Sequence, residues 1–215
     1  MKRLLVAALA AGLLSATPAS ANLILNGNFE TGTFANWTQF TTPDGRIGTT
    51  TTPGTPQVTS FNTTGSGASL AAEFSVAQII GAGGAQEGGG IFQNFFTSSG
   101  KLDISMDIAV DRPSTVPNAE GGVFKLLLDS VEIDSFTTGD ITNQTIRSVL
   151  SASGDFGAGT HELRILITRP FGESDFELAQ YVDNVVVNET APAPATLGLL
   201  GLGLAGLGWS RRKRH

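Results

Sequence analysis

No cysteine occurs anywhere in the chain. Disulfides, thiolate metal sites and thiol nucleophiles are thereby excluded. Histidine is almost as scarce. His161 and the terminal His215 are the only two, so there is no His-Glu-x-x-His zinc pattern and one internal base for a hydrolytic triad. His161 opens an alternating apolar run, where a lone histidine is more often solvated or paired locally than catalytic. Cations are also missing where they would matter for nucleic acid. All 19 acids lie between residues 22 and 190, while six of the 13 cations lie outside that stretch, leaving 19 acids against seven cations and a charge of −12. Such a surface repels nucleic acid and anionic lipid, and it can hold divalent cations. Helical periodicity is absent from the same stretch.

The two ends of the chain are unlike the rest. Residues 1–21 carry Lys2 and Arg3, an apolar run at 4–14 and a small-residue finish at Ala19, Ser20 and Ala21. That is the pattern of a secretory signal peptide, with cleavage expected between Ala21 and Asn22. Residues 191–215 begin with proline-spaced small residues, continue as an uncharged apolar run at 195–209 and end in a basic cluster at 211–215. A helix over 193–209 is about 25 Å long against a hydrocarbon core of roughly 30 Å, a marginal span suited to a temporary anchor. Arg211, Arg212, Lys213 and Arg214 cannot follow it across, so they act as a stop-transfer signal and keep that end cytoplasmic. Residues 22–190 are then exported.

This tail resembles the PEP-CTERM sorting signal of Gram-negative bacteria. Pro192, Ala193 and Pro194 stand for its Pro-Glu-Pro, with Ala193 where the family usually has Glu, and Ala195, Thr196 and Leu197 for its Ala-Thr-Leu. The resemblance implies an exosortase-type membrane protease as partner, cutting near the proline motif. It also implies a chain anchored briefly in the inner membrane and then passed to the cell surface or extracellular matrix.

Between the ends, residues 22–190 have the length of one domain with a real core. Residues 101–110 alternate, with Leu102, Ile104, Met106 and Ile108 on one face. Leu163, Ile165 and Ile167 do the same within 161–168. Residues 123–136 read as a hairpin turning at Asp129 and Ser130, and 181–187 as a last β-branched strand. Residues 41–64 read as an exposed loop with one strand near 58–61. Residues 79–90 read as a mobile glycine loop. They tempt a phosphate-loop reading, but the third glycine of G-x-G-x-x-G falls at Gln86 and no Lys-Ser/Thr follows. Strands without intervening helices predict an all-β fold, an antiparallel β-sandwich.

The first and last strands carry a second resemblance. Asn26, Gly27, Phe29, Glu30, Gly32 and Trp37, then Asp183, Asn184 and Val185, are similar to the terminal signatures of galactose-binding-like jelly rolls, including bacterial carbohydrate-binding modules. The resemblance implies a jelly roll and a structural calcium where the first and last strands meet. Glu30 and Asp183 would supply carboxylates and backbone carbonyls near Asn28 the remaining oxygens. Calcium takes six to eight oxygens, and a clip between chain ends suits a sandwich without disulfides. The competing reading is that Glu30 begins a turn and Asp183 caps a strand edge, both solvated.

Catalysis finds little support. Glu173, Asp175 and Glu177 crowd one loop, as glycoside hydrolysis would need, but a crowded acidic loop is ordinarily a solvated turn. Two functions from different classes remain. One is a non-catalytic surface or matrix protein associated with exopolysaccharide and biofilm. The other is a carbohydrate-binding module for a defined glycan, with Phe95, Phe96 and Phe171 as candidates for exposed stacking and Trp37 assigned to the core.

Overall fold

The alternating runs become strands, and every regular element among the described residues is a strand. The computed structural model describes residues 21–48, 55–79, 83–117, 120–171 and 177–190. The signal peptide through Ser20, the sorting segment 192–196, the span 195–209, the basic residues 211–214 and the loop acids Glu173 and Asp175 lie outside the described residues. Asn22–Glu189 forms one compact unit.

Two five-stranded antiparallel sheets make a β-sandwich. The front sheet runs in the order β1 (Thr38–Thr41), β6 (Glu87–Thr97), β11 (Gly159–Arg169), β8 (Val123–Leu128) and β9 (Val131–Thr137). The back sheet runs β10 (Gln144–Asp155), β7 (Lys101–Arg112), β12 (Ala179–Glu189), β4 (Ser69–Phe74) and β3 (Gln57–Phe61). A short ladder of β2 (Gly45–Arg46) and β5 (Ala77–Gln78) stands beside them.

The core is what the period of two predicts. Leu102, Ile104, Met106, Ile108 and Val110 of β7 turn inward, and Leu163, Ile165 and Ile167 of β11 meet them with Phe124, Leu126 and Leu128 of β8. Each such side chain contributes roughly 1.5–3 kcal/mol by leaving water. The hairpin turns at the expected pair, Asp129 (φ 50°) and Ser130 (φ 68°), the two left-handed residues of a type I′ turn.

The glycine stretch is different from its expectation. It is not a mobile loop up to Gly90: β6 starts at Glu87, and Gly88, Gly89 and Gly90 are buried strand residues. Crowding explains them. A Cβ on Gly89 would lie 2.2 Å from the Phe40 carbonyl oxygen, and one on Gly90 2.0 Å from that of Ile165. The backbones of β1 and β11 come too close for any side chain there. Within 41–64, a second short strand, β2, joins the expected one at β3.

Candidate functional site

Two places gather chemistry. The first is where the ends of the domain meet. Asn26 adopts φ 53° and its amide donates to the carbonyls of Thr33 and Ala35, folding residues 26–35 into a closed loop. Phe29, also at φ 53°, is fully buried, with its ring 5.9 Å from Trp37 in a stacked arrangement. A bulky residue in that region costs about 1–3 kcal/mol, which the burial of the ring offsets. Trp37 donates its indole N–H to the Asn26 carbonyl at 3.1 Å, so it is a core and loop-closing residue, as expected. Gly27 abuts β12: a Cβ there would sit 2.1 Å from the Val185 carbonyl oxygen.

That loop delivers Glu30 to β4, where its carboxylate accepts from the Leu70 N–H at 3.1 Å. The neighbouring residue, Ser69, donates its hydroxyl to Asp183 at 2.6 Å. Adjacent residues of β4 therefore hold the two predicted carboxylates. On β12, the pairing with β7 slips between Asp183 and Val186, and Asn184 takes φ 50°. Its backbone N–H donates to Asp183 and its side-chain amide to Asp107.

Asp183 is not solvated: its exposure is 0%. Burial pushes its carboxyl above the ordinary range, the Ser69 and Asn184 bonds pull it back, and the nearby Asp107 and Glu30 push it up again. A buried carboxylate facing two others calls for a counter-charge, and the donors are the hard oxygens that calcium prefers. Among the described residues no group of three His, Cys, Asp or Glu is close enough to hold a metal by itself. The structure brings Glu30 and Asp183 to adjacent residues of β4.

The second place is on the outer face of the front sheet. Register puts Phe92 of β6 opposite Arg164 of β11, and Arg164 opposite Leu127 of β8. In the next row Phe40 of β1 faces Gly90, and Gly90 faces Leu166. Because Gly90 has no side chain, the floor between Phe40 and Leu166 is low. The Arg164 guanidinium carbon lies 4.3 Å from the Phe40 ring centre and 4.9 Å from that of Phe92, within cation–π range of both. Its Nε donates to Glu162 at 2.8 Å, which fixes the plane. The result is a groove of about 380 Å³ lined by Phe40, Thr41, Thr42, Leu127, Ser130, Arg164 and Leu166, apolar on its floor with hydroxyls at its rim.

Of the aromatics proposed for stacking, Phe95 is in the core at 5% exposure, because it points inward from β6, whereas its neighbour Phe96 points outward at 65%. Phe171 is half-buried beside Arg169. The groove residues Phe40 and Arg164, with Phe92 packed beside Arg164, escaped sequence reasoning. They are 52 and 72 positions apart at consecutive steps along the chain, and only strand register unites them.

His161 is engaged on both ring nitrogens, Nδ1 at 2.7 Å from the Asp129 carboxylate and Nε2 at 3.0 Å from the Gly157 carbonyl. The Asp129 bond raises its pKa above 6.5, against burial, and Gly157 adds to the rise. Engaged by acceptors at both nitrogens, it ties the β8–β9 turn to β11. Glu177, the one member of the acidic loop among the described residues, is exposed.

Comparison with known proteins adds the following. The model of the PEP-CTERM protein-sorting motif matches residues 190–213. The chain carries that motif, a sorting signal that implies an exported protein. No curated protein sequence matches the chain. Among solved structures, TmCBM61 in complex with β-1,4-galactotriose is similar at 11% identity and TM-score 0.47, covering 80% of this chain and 100% of that one. The CBM22-1–GH10 modules of the Clostridium thermocellum xylanase Xyn10B, complexed with xylohexaose, show 13% identity and TM-score 0.45 over 80% of this chain and 29% of that one. A cyclase from Fischerella sp. TAU shows 12% identity and TM-score 0.44 over 81% of this chain and 100% of that one. The likeness is one of β-sandwich architecture, and it reaches binding modules and cyclases alike.

Proposed function

We propose that this exported protein is a non-catalytic glycan-binding protein of the cell surface or extracellular matrix, and that the front-sheet groove takes a pyranose ring. The observation that carries this reading is Arg164 lying across Phe40 and Phe92 above a low glycine floor. A sugar ring offers an apolar C–H face and a rim of hydroxyls. The groove offers an aromatic and aliphatic floor, with Thr41 and Ser130 and the remaining guanidinium donors for the hydroxyls, the Thr42 hydroxyl being engaged with Gly88. Its volume of about 380 Å³ is at the small end of ligand sites, so one or two sugar units fill it. The tail supplies the route, and an exopolysaccharide or biofilm layer supplies the ligand.

The test is saturable binding of the full-length protein to an array of neutral glycans, followed by titration of the best one. Phe40→Ala and Arg164→Ala should each weaken binding on the order of tenfold, the loss of one good stacking or charged hydrogen-bond contact. Absence of saturable binding to any glycan would favour a matrix protein without a defined ligand. Equal affinity in both variants would place the site elsewhere.

We also propose that calcium clips the chain ends through Glu30 and Asp183. The support is the buried, like-charged setting of Asp183. At a hundred times its dissociation constant, calcium would stabilise the fold by about 2.7 kcal/mol. Chelation should lower the melting temperature of the wild type and leave Asp183→Asn unmoved.

A further inference from the structure

Asp129 sits at the edge of the front-sheet groove and does more than turn the chain. It is the first left-handed residue of the β8–β9 turn, and the second, Ser130, lines the groove. Its bonds dock that turn onto β11. The Asp129 N–H donates to the Glu162 carbonyl at 3.0 Å, and the Glu162 N–H donates to one Asp129 carboxylate oxygen at 2.9 Å. The other carboxylate oxygen lies 2.7 Å from His161 Nδ1. From the same stretch of β11, the Glu162 side chain holds Arg164 Nε at 2.8 Å. One polar chain therefore runs from the Gly157 carbonyl through His161, Asp129 and Glu162 to Arg164. It ends at the guanidinium that lies across Phe40 and Phe92.

A neutral imidazole has one N–H, and here an acceptor faces each ring nitrogen. The protonated ring alone donates to both. The Asp129 bond favours that form, burial opposes it and the Gly157 carbonyl adds to it. The other charges nearby are few. The β10–β11 turn brings Asp155, whose carboxylate takes the Gly157 N–H at 3.2 Å, with Lys101 of β7 opposite it in register. Glu162 is the next residue on β11, and β6 contributes the uncharged Phe95, its ring 5.8 Å away. Loss of the ring proton sets a lone pair against one of the two oxygens and turns a charge-assisted bond into a neutral one, about half as strong. The Ser130 edge is then held less firmly to β11, and apparent affinity scales with the population in which a groove is competent.

We propose that His161 is a positioning residue for the groove: acting through Asp129, its protonated ring holds the Ser130 edge and the Glu162–Arg164 pair in the arrangement that takes a sugar, so binding weakens as the ring loses its proton. This rests on the glycan-binding reading and adds a pH control to it. The sign follows from the bonds. Affinity is complete while the ring is protonated and drops as pH rises through its raised pKa.

The test uses the full-length protein in detergent micelles, followed by NMR from about pH 5.5 to 9. Neutral gluco-, galacto- and xylo-oligosaccharides are titrated over the same window. The Ser130 amide and Arg164 Nε–H signals should shift with the midpoint of the His161 ring, and affinity should fall about three- to fivefold through it. Asp129→Asn suits a positive φ and keeps an acceptor for the Glu162 N–H while removing the charge. His161→Gln keeps a donor that does not titrate and leaves His215, the chain's other imidazole, in place. Both variants should bind with a flat pH profile. Groove signals that stay fixed while His161 titrates overturn the proposal whether or not a sugar binds. Saturable binding that is flat in the wild type, or that falls equally in both variants, overturns it and leaves the glycan reading standing. No saturable binding at any pH removes both.

Discussion

Asp183 decides more than its neighbours because it is an acid that is fully buried, with Glu30 and Asp107 near enough to push its pKa up further. The sign of its pH dependence follows. Without metal its folded pKa is above the ordinary 3.8, so its contribution to stability is complete below that value and is lost as pH rises through the raised one. In chelator, wild-type stability should fall from about pH 4 towards neutrality through this group, and Asp183→Asn should flatten that fall. With calcium present the order reverses at neutral pH, the wild type melting above the variant. Melting curves across pH, with and without chelator, read both signs. A wild type no less stable in chelator than in calcium would remove the metal. That Glu30 and Asp183 come to the same place was legible in the sequence, through terminal signatures whose residues now have separate reasons: Gly27 for contact with Val185, Phe29 for the core, Trp37 for the Asn26 carbonyl, Asn184 for the slip in β12. What the sequence concealed was burial. A carboxylate on a strand looks the same whether its neighbours cover it or leave it wet.

The elements show which strands a period of two can reveal. β7, β11 and the β8–β9 hairpin pack one clean face against the core, and their alternation is visible. β6 was hidden because Gly88, Gly89 and Gly90 carry no side chains to alternate, although close backbones are the reason they are glycine. β10 was hidden because Val149 faces solvent at 58% while serines recur along the strand, and β4 because alanines stand on both its faces, Ala72 towards the main core and Ala71 away from it, so that no alternation shows. The groove suffered from this directly: without β6 there is no register to bring Phe92 to Arg164. The hairpin permits a sharper statement. Its turn holds Ser130 at φ 68°, a region that a Cβ disfavours and glycine does not. Asp129 cannot be exchanged freely, since its carboxylate bonds His161 and the Glu162 N–H. Ser130→Gly should stabilise the full-length protein by about 0.5–1 kcal/mol, seen as a higher denaturant midpoint with an unchanged slope. A lower midpoint would mean that the Ser130 side chain contributes more than its backbone strain costs.

For the molecule as a whole, charge limits which glycans the groove can meet. The stretch 22–190 carries 19 acids against seven cations, and that field extends about 10 Å at 0.1 M salt. The groove gives no local exception. Arg164 is already paired with Glu162 at 2.8 Å, and Lys125, opposite the groove residue Leu166 on the same sheet, with Glu132 at 2.8 Å. If the groove takes a glycan as proposed, both the local balance and the net charge disfavour uronic-acid or phosphorylated chains and favour neutral sugars. Stacking and hydroxyl contacts are insensitive to ionic strength, so affinity for a neutral glycan should change less than about twofold between roughly 0.05 and 0.5 M salt. An acidic glycan that binds at all should bind more tightly as salt rises, because screening removes repulsion faster than it removes any attraction at the paired Arg164. Titrations of one neutral and one uronic-acid oligosaccharide across that range separate the cases. Affinity for the acidic chain that falls with salt would show Arg164 acting as an anion receptor in the bound state, with Glu162 displaced, and the groove would then have to be reassigned to acidic polysaccharide.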